Sequence, residues 1–288
     1  MPASAESRVA VVTVSYNSSA QLAAFLTSVG RQTPAPARVV IVDNDSADLD
    51  ETRTVAAEFG AHVVALEHNV GYGGAINAGV LALGPEIDYV LISNPDIALH
   101  DGAIAILTEA GERDQGVGAV GPRILNEDGT TYPSARSIPS VRTGVGHAVL
   151  GHPWPANPWT RAYRGEHADT GAARDAGWLS GSCVLVRRSA FDAIGGFDES
   201  YFMYFEDVDL GYRLGKAGWR NRYEPSASAT HIGGVSTRTE SARMLRAHHE
   251  SAIRFINRKY AAAWLAPLRW TLTLGLRTRL RLMSRRAR

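Results

Sequence analysis

Residues Val9–Val14 (VAVVTV) form a β-branched run that ends at Ser15-Tyr16-Asn17. A run without alternation fits a strand covered on both faces, as in a parallel sheet. Leu22, Phe25, Leu26 and Val29 then recur at helical spacing across 21–30. Val39–Val42 (VVIV) predicts a second buried strand that closes on Asp43-Asn44-Asp45-Ser46. Residues 52–59 fit a helix, 62–66 a short strand, and 73–83 a helix of small residues. Tyr89–Ser93 (YVLIS) predicts a fourth strand, stopping at Asn94-Pro95-Asp96, and 103–110 another helix.

Strands alternating with helices over the first 120 residues predict βαβ units, hence an α/β fold with a parallel sheet. Their polar ends, SYN, DND and NPD, then fall on one sheet edge, where open α/β sheets bind ligands. Residues 126–177 are rich in Pro, Gly and Arg and predict a long loop with short helices. Beyond it, 178–187 (WLSGSCVLVR) predicts one strand with a Gly kink. Residues 189–194 and 205–216 predict helices, 222–231 a strand, and 242–288 a mostly helical segment.

Charge divides the chain. From Ser251 onward there are 10 Arg or Lys and no acid, which leaves 20 basic and 29 acidic residues before it. A mildly acidic body thus carries a strongly basic tail. The single cysteine, Cys183, excludes an internal disulfide framework. The N-terminus lacks a basic stretch followed by an apolar run, so no secretory leader is expected. No window reaches the roughly 18 apolar residues of a spanning helix.

Several clusters can carry chemistry, and each has a plainer alternative. Asp96, exposed at a strand end, can bind a divalent metal that bridges phosphates; Asn-Pro-Asp is equally a turn. Glu206, Asp207 and Asp209 in FEDVDLG either complement a helix dipole or supply a general base for a sugar hydroxyl. The Gly-rich run Asn69–Gly79 (NVGYGGAINAG) can turn backbone amides toward an anion, yet it matches neither a phosphate-binding loop nor the dinucleotide fingerprint. Asp43 can accept from a base or ribose, or close an Asp-Asn turn. His231 is a structural histidine unless it meets Asp96 in space.

In their order, VVTVSYN, VDNDS, NVGYGGAINAG, SNPD, WLSGSCVLVRR, FMYFEDVDLGYR and HIGGVST resemble glycosyltransferase family 2 over about residues 8 to 260. The resemblance implies a GT-A fold, a Rossmann-like mostly parallel sheet flanked by helices, with a basic helical C-terminal extension. It divides the chain into a catalytic domain, 1–240, and an extension, 241–288. Within the catalytic domain the nucleotide-sugar half spans about 8–125 and the acceptor half about 126–240. It implies an inverting transfer with Asp207 as base and Glu206 beside it. It places Ser15, Tyr16, Asn17 and Asp43 at the nucleotide base, and Asn69, Gly71, Asn77 and Asn94 along the donor. Trp178, Gly181 and Ser182 fall on the acceptor side. Asp96, the last acid of an Asp-x-Asp motif, and His231 hold Mg²⁺ or Mn²⁺. Asn94 replaces the first acid of that motif, and a neutral oxygen binds metal more weakly.

The SNPD form, the YPSARSIPS segment and FEDVDLGYR are most similar to the family's rhamnosyltransferases. That implies transfer of L-rhamnose from dTDP-L-rhamnose to a GlcNAc-diphospho-polyprenol in cell-wall linker synthesis. The tail mixes Trp264, Trp270 and several leucines with six arginines from Arg269 to Arg286. Such a segment suits an anionic membrane surface, a packed helix or an oligomer contact. The expectations are a cytoplasmic protein peripheral to the inner face of the plasma membrane, a lipid-linked acceptor, a homo-oligomer as an alternative use of the tail, and no nucleic-acid partner. A silent nucleotide-sugar-binding module would lack the FEDVD acids. A nucleotidyltransferase would carry a basic Gly-rich loop where SYNSS stands.

Overall fold

A computed structural model describes residues 7–141, 143, 150, 153–160, 171–232 and 241–286. The first half alternates β1 (Val9–Ser15), α1 (Ser19–Gly30), β2 (Arg38–Asp43), α2 (Leu49–Glu58), β3 (His62–Ala65), α3 (Gly71–Leu81) and β4 (Tyr89–Ser93). β5 (Ile97–Leu99), α4 (Ala103–Glu112) and β6 (Val117–Asn126) follow. β7 (Thr131–Tyr132), β8 (Ala135–Arg136), β9 (Arg174–Ala176) and β10 (Trp178–Leu179) are short. β11 (Cys183–Arg187), α5 (Arg188–Ala193), α6 (Glu206–Lys216), β12 (Arg220–His231), α7 (Ser241–Lys259) and α8 (Ala266–Arg286) complete the chain.

The main sheet runs β3-β2-β1-β4-β11-β6-β12-β5, with β7 on β6 and β9 on β12. β3, β2, β1 and β4 are parallel, so their carboxyl ends share one edge, with Ser15 opposite Asp43 and Thr13 opposite Ser93. Beyond β4 the sheet is mixed: β11 runs antiparallel to β4 and β6, and β6 pairs parallel with β12. The β1 run is apolar throughout because both faces are covered. Val9 and Val11 enter a core with Leu22, Phe25 and Leu107, while Ala10 and Val12 face Ile76, Val80 and Phe191. α3 lies so close to the sheet that a Cβ on Gly79 would come within 2.5 Å of Val12 and 2.7 Å of Val42.

Three expectations change. The hydrophobic pattern does not predict β5 or β6, and β6 is a full strand despite Gly118, Gly121 and Pro122. The stretch expected as a loop contributes β7, β8 and β9 to pairing. Residues 178–187 are two strands in two sheets: β10 pairs with β8, and β11 joins the main sheet. Pro225 sits in β12 where its register with β6 shifts between Glu224 and Ser228, the kind of bulge that tolerates a proline.

α7, expected as part of an extension, packs on the acceptor half. Phe255 is buried against Phe205 and Tyr212, and the Ser251 hydroxyl donates to the Met203 carbonyl at 2.9 Å. Arg258 reaches the fully buried Asp209 at 3.0 Å, beside Arg213 at 2.6 Å. α8 is largely exposed, with Trp264 before it and Trp270, Leu274 and Leu282 along it 56–80% accessible. No described helix is long and apolar enough to cross a membrane.

Candidate active site

The edge is assembled from loops at the carboxyl ends of β1, β2 and β4. Asp43 is 1% exposed. One of its oxygens accepts from the Ser46 amide at 2.9 Å, and Oδ2 has no partner among the described residues. A buried acceptor without a donor is costly unless a ligand supplies one. Asn17 bridges the neighbouring loops: its amide donates to Ser46 Oγ and its Oδ1 accepts from Ala47. Tyr16 is exposed beside it. Ser15 is buried and its hydroxyl meets Ser18 and Thr52, so this side chain builds the floor of the edge.

The Gly-rich run is fastened by Asn44, which sequence reasoning left unassigned. Its amide donates to Asn69 Oδ1 and the Gly71 carbonyl, and its Oδ1 accepts from Val70. Gly71 has φ +82°, and a Cβ there would lie 2.4 Å from the Phe202 carbonyl oxygen, so this turn abuts the loop before α6. Asn77 serves a different end. Its amide donates to the Phe197 carbonyl and Glu199, and its Oδ1 accepts from the Phe197 amide. These bonds pin that turn.

Asp96 and His231, 135 positions apart, meet at 3.0 Å between Oδ1 and Nε2. Their side chains are 18% and 24% exposed. The pairing of β12 with β5 places His231 opposite Ile97, one residue past Asp96. The rest of the HIGGVST segment after Ile232 lies outside the described residues. Asn94 stands at the end of β4, its amide donating to the Ser182 carbonyl at 2.9 Å. No cluster of three or more His, Cys, Asp or Glu suited to a metal occurs among the described residues.

Asp207 opens α6. Its Oδ2 accepts from the Gly181 amide at 3.1 Å and its Oδ1 from the Val208 amide at 2.8 Å. Burial raises its carboxyl above the ordinary range, while those amides and nearby Arg136 oppose the rise. Glu206, 9% exposed, is pushed up to about 8 by burial and then by the charge on Asp207, and its Oε2 has no partner. Two adjacent acids share one proton most easily when the better-solvated one ionises. Asp207, with two amide donors, therefore carries the charge near neutral pH, and Glu206 keeps the proton.

Sequence reasoning missed Tyr72 and Arg136. The Tyr72 hydroxyl donates to the Gly181 carbonyl at 2.7 Å, fastening the residue whose amide holds Asp207. Burial, then Glu206 and Asp207, raise its pKa well above the ordinary value, so it stays a neutral donor. Arg136 sits over the rings of Tyr132 and Trp178, with Trp178 Nε1 donating to the Ser137 carbonyl. Ser182 Oγ is buried against Ser180 Oγ at 2.9 Å, so its backbone faces Asn94 while its side chain supports the loop. Tyr204 and Phe205, both with φ near +66°, turn the chain into α6.

Residues 6–254 match the family described as glycosyltransferase like family 2. The chain belongs to glycosyltransferase family 2. It is 45% identical over 284 residues to an N-acetylglucosaminyl-diphospho-decaprenol L-rhamnosyltransferase of Mycobacterium tuberculosis, covering 96% of this chain and 92% of that protein. It is 30% identical over 175 residues to the rhamnosyltransferase WbbL of Escherichia coli, covering 60% of this chain and 62% of that one. Among solved structures, it is similar to a mannosyltransferase from Pyrobaculum calidifontis in complex with GDP-Man and Mn²⁺. That likeness has a TM-score of 0.59 and 16% identity, over 95% of this chain and 69% of the other. At such identity the likeness shows the fold, which is GT-A. This family 2 member is a glycosyltransferase, and its polar sheet edge, together with the start of α6, is the region where the family's chemistry is expected.

Proposed function

We propose that this glycosyltransferase moves L-rhamnose from dTDP-L-rhamnose to a GlcNAc-diphospho-polyprenol in the assembly of a cell-wall linker. The 45% identity to the mycobacterial rhamnosyltransferase over nearly the whole chain supports the sugar and the acceptor. The observation that carries the chemistry is Asp207, a half-buried carboxylate held by two backbone amides beside a protonated Glu206.

Asp207 takes the proton of the acceptor hydroxyl as that oxygen attacks the anomeric carbon. The new bond forms opposite the departing diphosphate, so the configuration inverts through an oxocarbenium-like transition state. Tyr72 and the Gly181 peptide fix the base, and Glu206, neutral, adds no second charge to repel the substrate. Asp43 Oδ2 accepts from the donor's base, and Tyr16, Asn17, Asn69, Gly71 and Asn94 border the donor. Trp178 and Gly181 flank the acceptor.

Asp96 and His231 would hold a divalent cation through one carboxylate oxygen and one imidazole nitrogen. Bound there, Mg²⁺ or Mn²⁺ would neutralise charge on the leaving diphosphate. α8 rests on an anionic bilayer at the inner face of the plasma membrane, a reading supported by exposed Trp270 and Leu274 beside Arg277, Arg279 and Arg281. There it meets a lipid-linked substrate.

A donor panel with GlcNAc-diphospho-prenol as acceptor tests the proposal. Product from dTDP-L-rhamnose and not from dTDP-glucose, UDP-GlcNAc or GDP-mannose is expected; product from another donor alone overturns it. Asp207→Asn should lower kcat by about 10²–10⁴ with dTDP affinity retained, as for loss of a positioned base.

A further inference from the structure

Arg136 of β8 lies opposite Trp178 of β10. Its guanidinium carbon is 5.6 Å from the Trp178 ring centroid and 5.7 Å from that of Tyr132. Its Nε donates to the Pro133 carbonyl at 2.7 Å. The two forked amino groups have no hydrogen bond or carboxylate partner among the described residues. Four other arginines are engaged: Arg213 and Arg258 are paired with Asp209, and Arg187 and Arg174 donate to backbone carbonyls. Arg136 is thus a cation already ordered by its surroundings, with its recognition end left open.

Its place is informative. The Tyr132 ring that carries Arg136 also meets the His231 ring edge-on at 6.4 Å, and His231 holds Asp96. From Trp178, three residues lead to Gly181, whose amide holds Asp207. Arg136 is thus linked through Tyr132 to the proposed metal pair and through Trp178 to the loop that holds Asp207, and its charge reaches the Asp207 carboxyl. With Asn94 in place of an acid, the metal pair offers one carboxylate to a divalent ion. The single positive charge that remains falls short of the charge on a diphosphate, and a second fixed cation would complete the neutralisation.

We propose that Arg136 is the anchoring cation of a diphosphate subsite, its forked amino groups taking two phosphate oxygens. This rests on the glycosyl-transfer reading above. A planar guanidinium suits paired phosphate oxygens, and two flanking rings keep its plane fixed. The diphosphate belongs either to the donor or to the lipid-linked acceptor, and each has its own arm in the test.

The full-length protein is compared with Arg136→Gln and Arg136→Lys. The donor arm measures the affinity of dTDP against thymidine, with Mn²⁺ and with EDTA. The acceptor arm measures KM for GlcNAc-diphospho-prenol against an uncharged alkyl GlcNAc glycoside. Arg136→Gln should weaken the diphosphate form by about 10–100-fold in one arm and leave its neutral counterpart within about twofold, as for loss of a charge-assisted pair. Arg136→Lys, which keeps the charge and loses the fork, should recover part of the difference. The responding arm names the source.

A residue that only holds β8 to β10 would weaken both forms together. Unchanged diphosphate-to-neutral ratios in both arms overturn the subsite. If Arg136→Gln does not fold, the ratios in Arg136→Lys decide. Wild-type turnover in the same assays separates the two claims: no transfer from dTDP-L-rhamnose rejects the proposed function, whereas transfer with unchanged ratios rejects the subsite alone.

Discussion

Replacing Glu206 with Gln distinguishes the two acids that open α6. The wild-type carboxyl is raised from an ordinary 4.5 to about 8, chiefly by burial and then by the charge on Asp207. Each unit between folded and unfolded states is worth about 1.4 kcal/mol. Allowing for the proton shared with Asp207, the effect is roughly 2–5 kcal/mol. In the unfolded chain Glu206 ionises near its ordinary value, while the folded protein holds the proton up to about 8. The folded state therefore binds more protons between these limits, and stability declines as pH rises through that window and levels off above it. Glutamine has the same shape and no charge at any pH, so it removes this decline. Urea unfolding at pH 5.5 and pH 8.5 should show the variant gaining on the wild type at the higher pH by roughly 2–3 kcal/mol, the part of the effect that falls in this window. At pH 7 its kcat should stay within about tenfold of wild type, because the group it replaces is already neutral there. Equal pH slopes in the two proteins, or a Gln variant as slow as Asp207→Asn, would refute the division of roles.

Because the Asp207 carboxyl is itself raised, kcat should fall as pH drops through its pKa, and a flat acid limb in a pH–rate profile would count against it as the base. His231→Ala should raise the Mn²⁺ concentration for half-maximal activity by about 10–100-fold, the usual effect of weakening a metal's support; an unshifted titration would remove the Asp96–His231 pair as the metal site. Replacing Arg277, Arg279 and Arg281 with Gln should weaken binding to phosphatidylserine vesicles on the order of 100-fold, at about 1 kcal/mol per residue. Unaltered co-sedimentation would assign α8 some other use.

The nucleotide-side half can be traced in the sequence because its strands are covered on both faces, and their hydrophobic runs carry no interruptions. β6 is hidden by the glycines that let it pack. A Cβ on Gly118 would meet Trp219 at 2.8 Å, and one on Gly121 would meet Leu179 at 2.8 Å. The strand needs residues that look like loop residues. Residues 178–187 mislead for a related reason: the break at Ser180–Ser182 sends one apolar run into two sheets, a tertiary choice with no local signature. Asp207 and Asp96 stand out through the ordered set of motifs, since each cluster alone has a local explanation. Arg136 and Tyr72 lie inside two of the quoted segments, YPSARSIPS and NVGYGGAINAG, yet no local pattern gives either a role, because Trp178 and Gly181 lie 42 and 109 positions away and are brought near by strand pairing and loop packing.

The ion pairs around Asp209 bear on where this protein can be cut. Asp209 lies two residues past Asp207, the proposed base, has no solvent exposure, and is balanced by Arg213 from its own helix and Arg258 from α7. Removing Arg258 would leave Asp209 with Arg213 alone, at a cost below the roughly 3–5 kcal/mol of stripping a buried charge of its partner outright. The family match stops at residue 254, four positions before Arg258. A fragment trimmed to that limit would keep every residue proposed here for chemistry and still lose a counter-charge beneath the base, along with Phe255 from the pocket of Phe205 and Tyr212. A fragment that runs through Lys259 keeps these contacts, which the shared motifs alone do not.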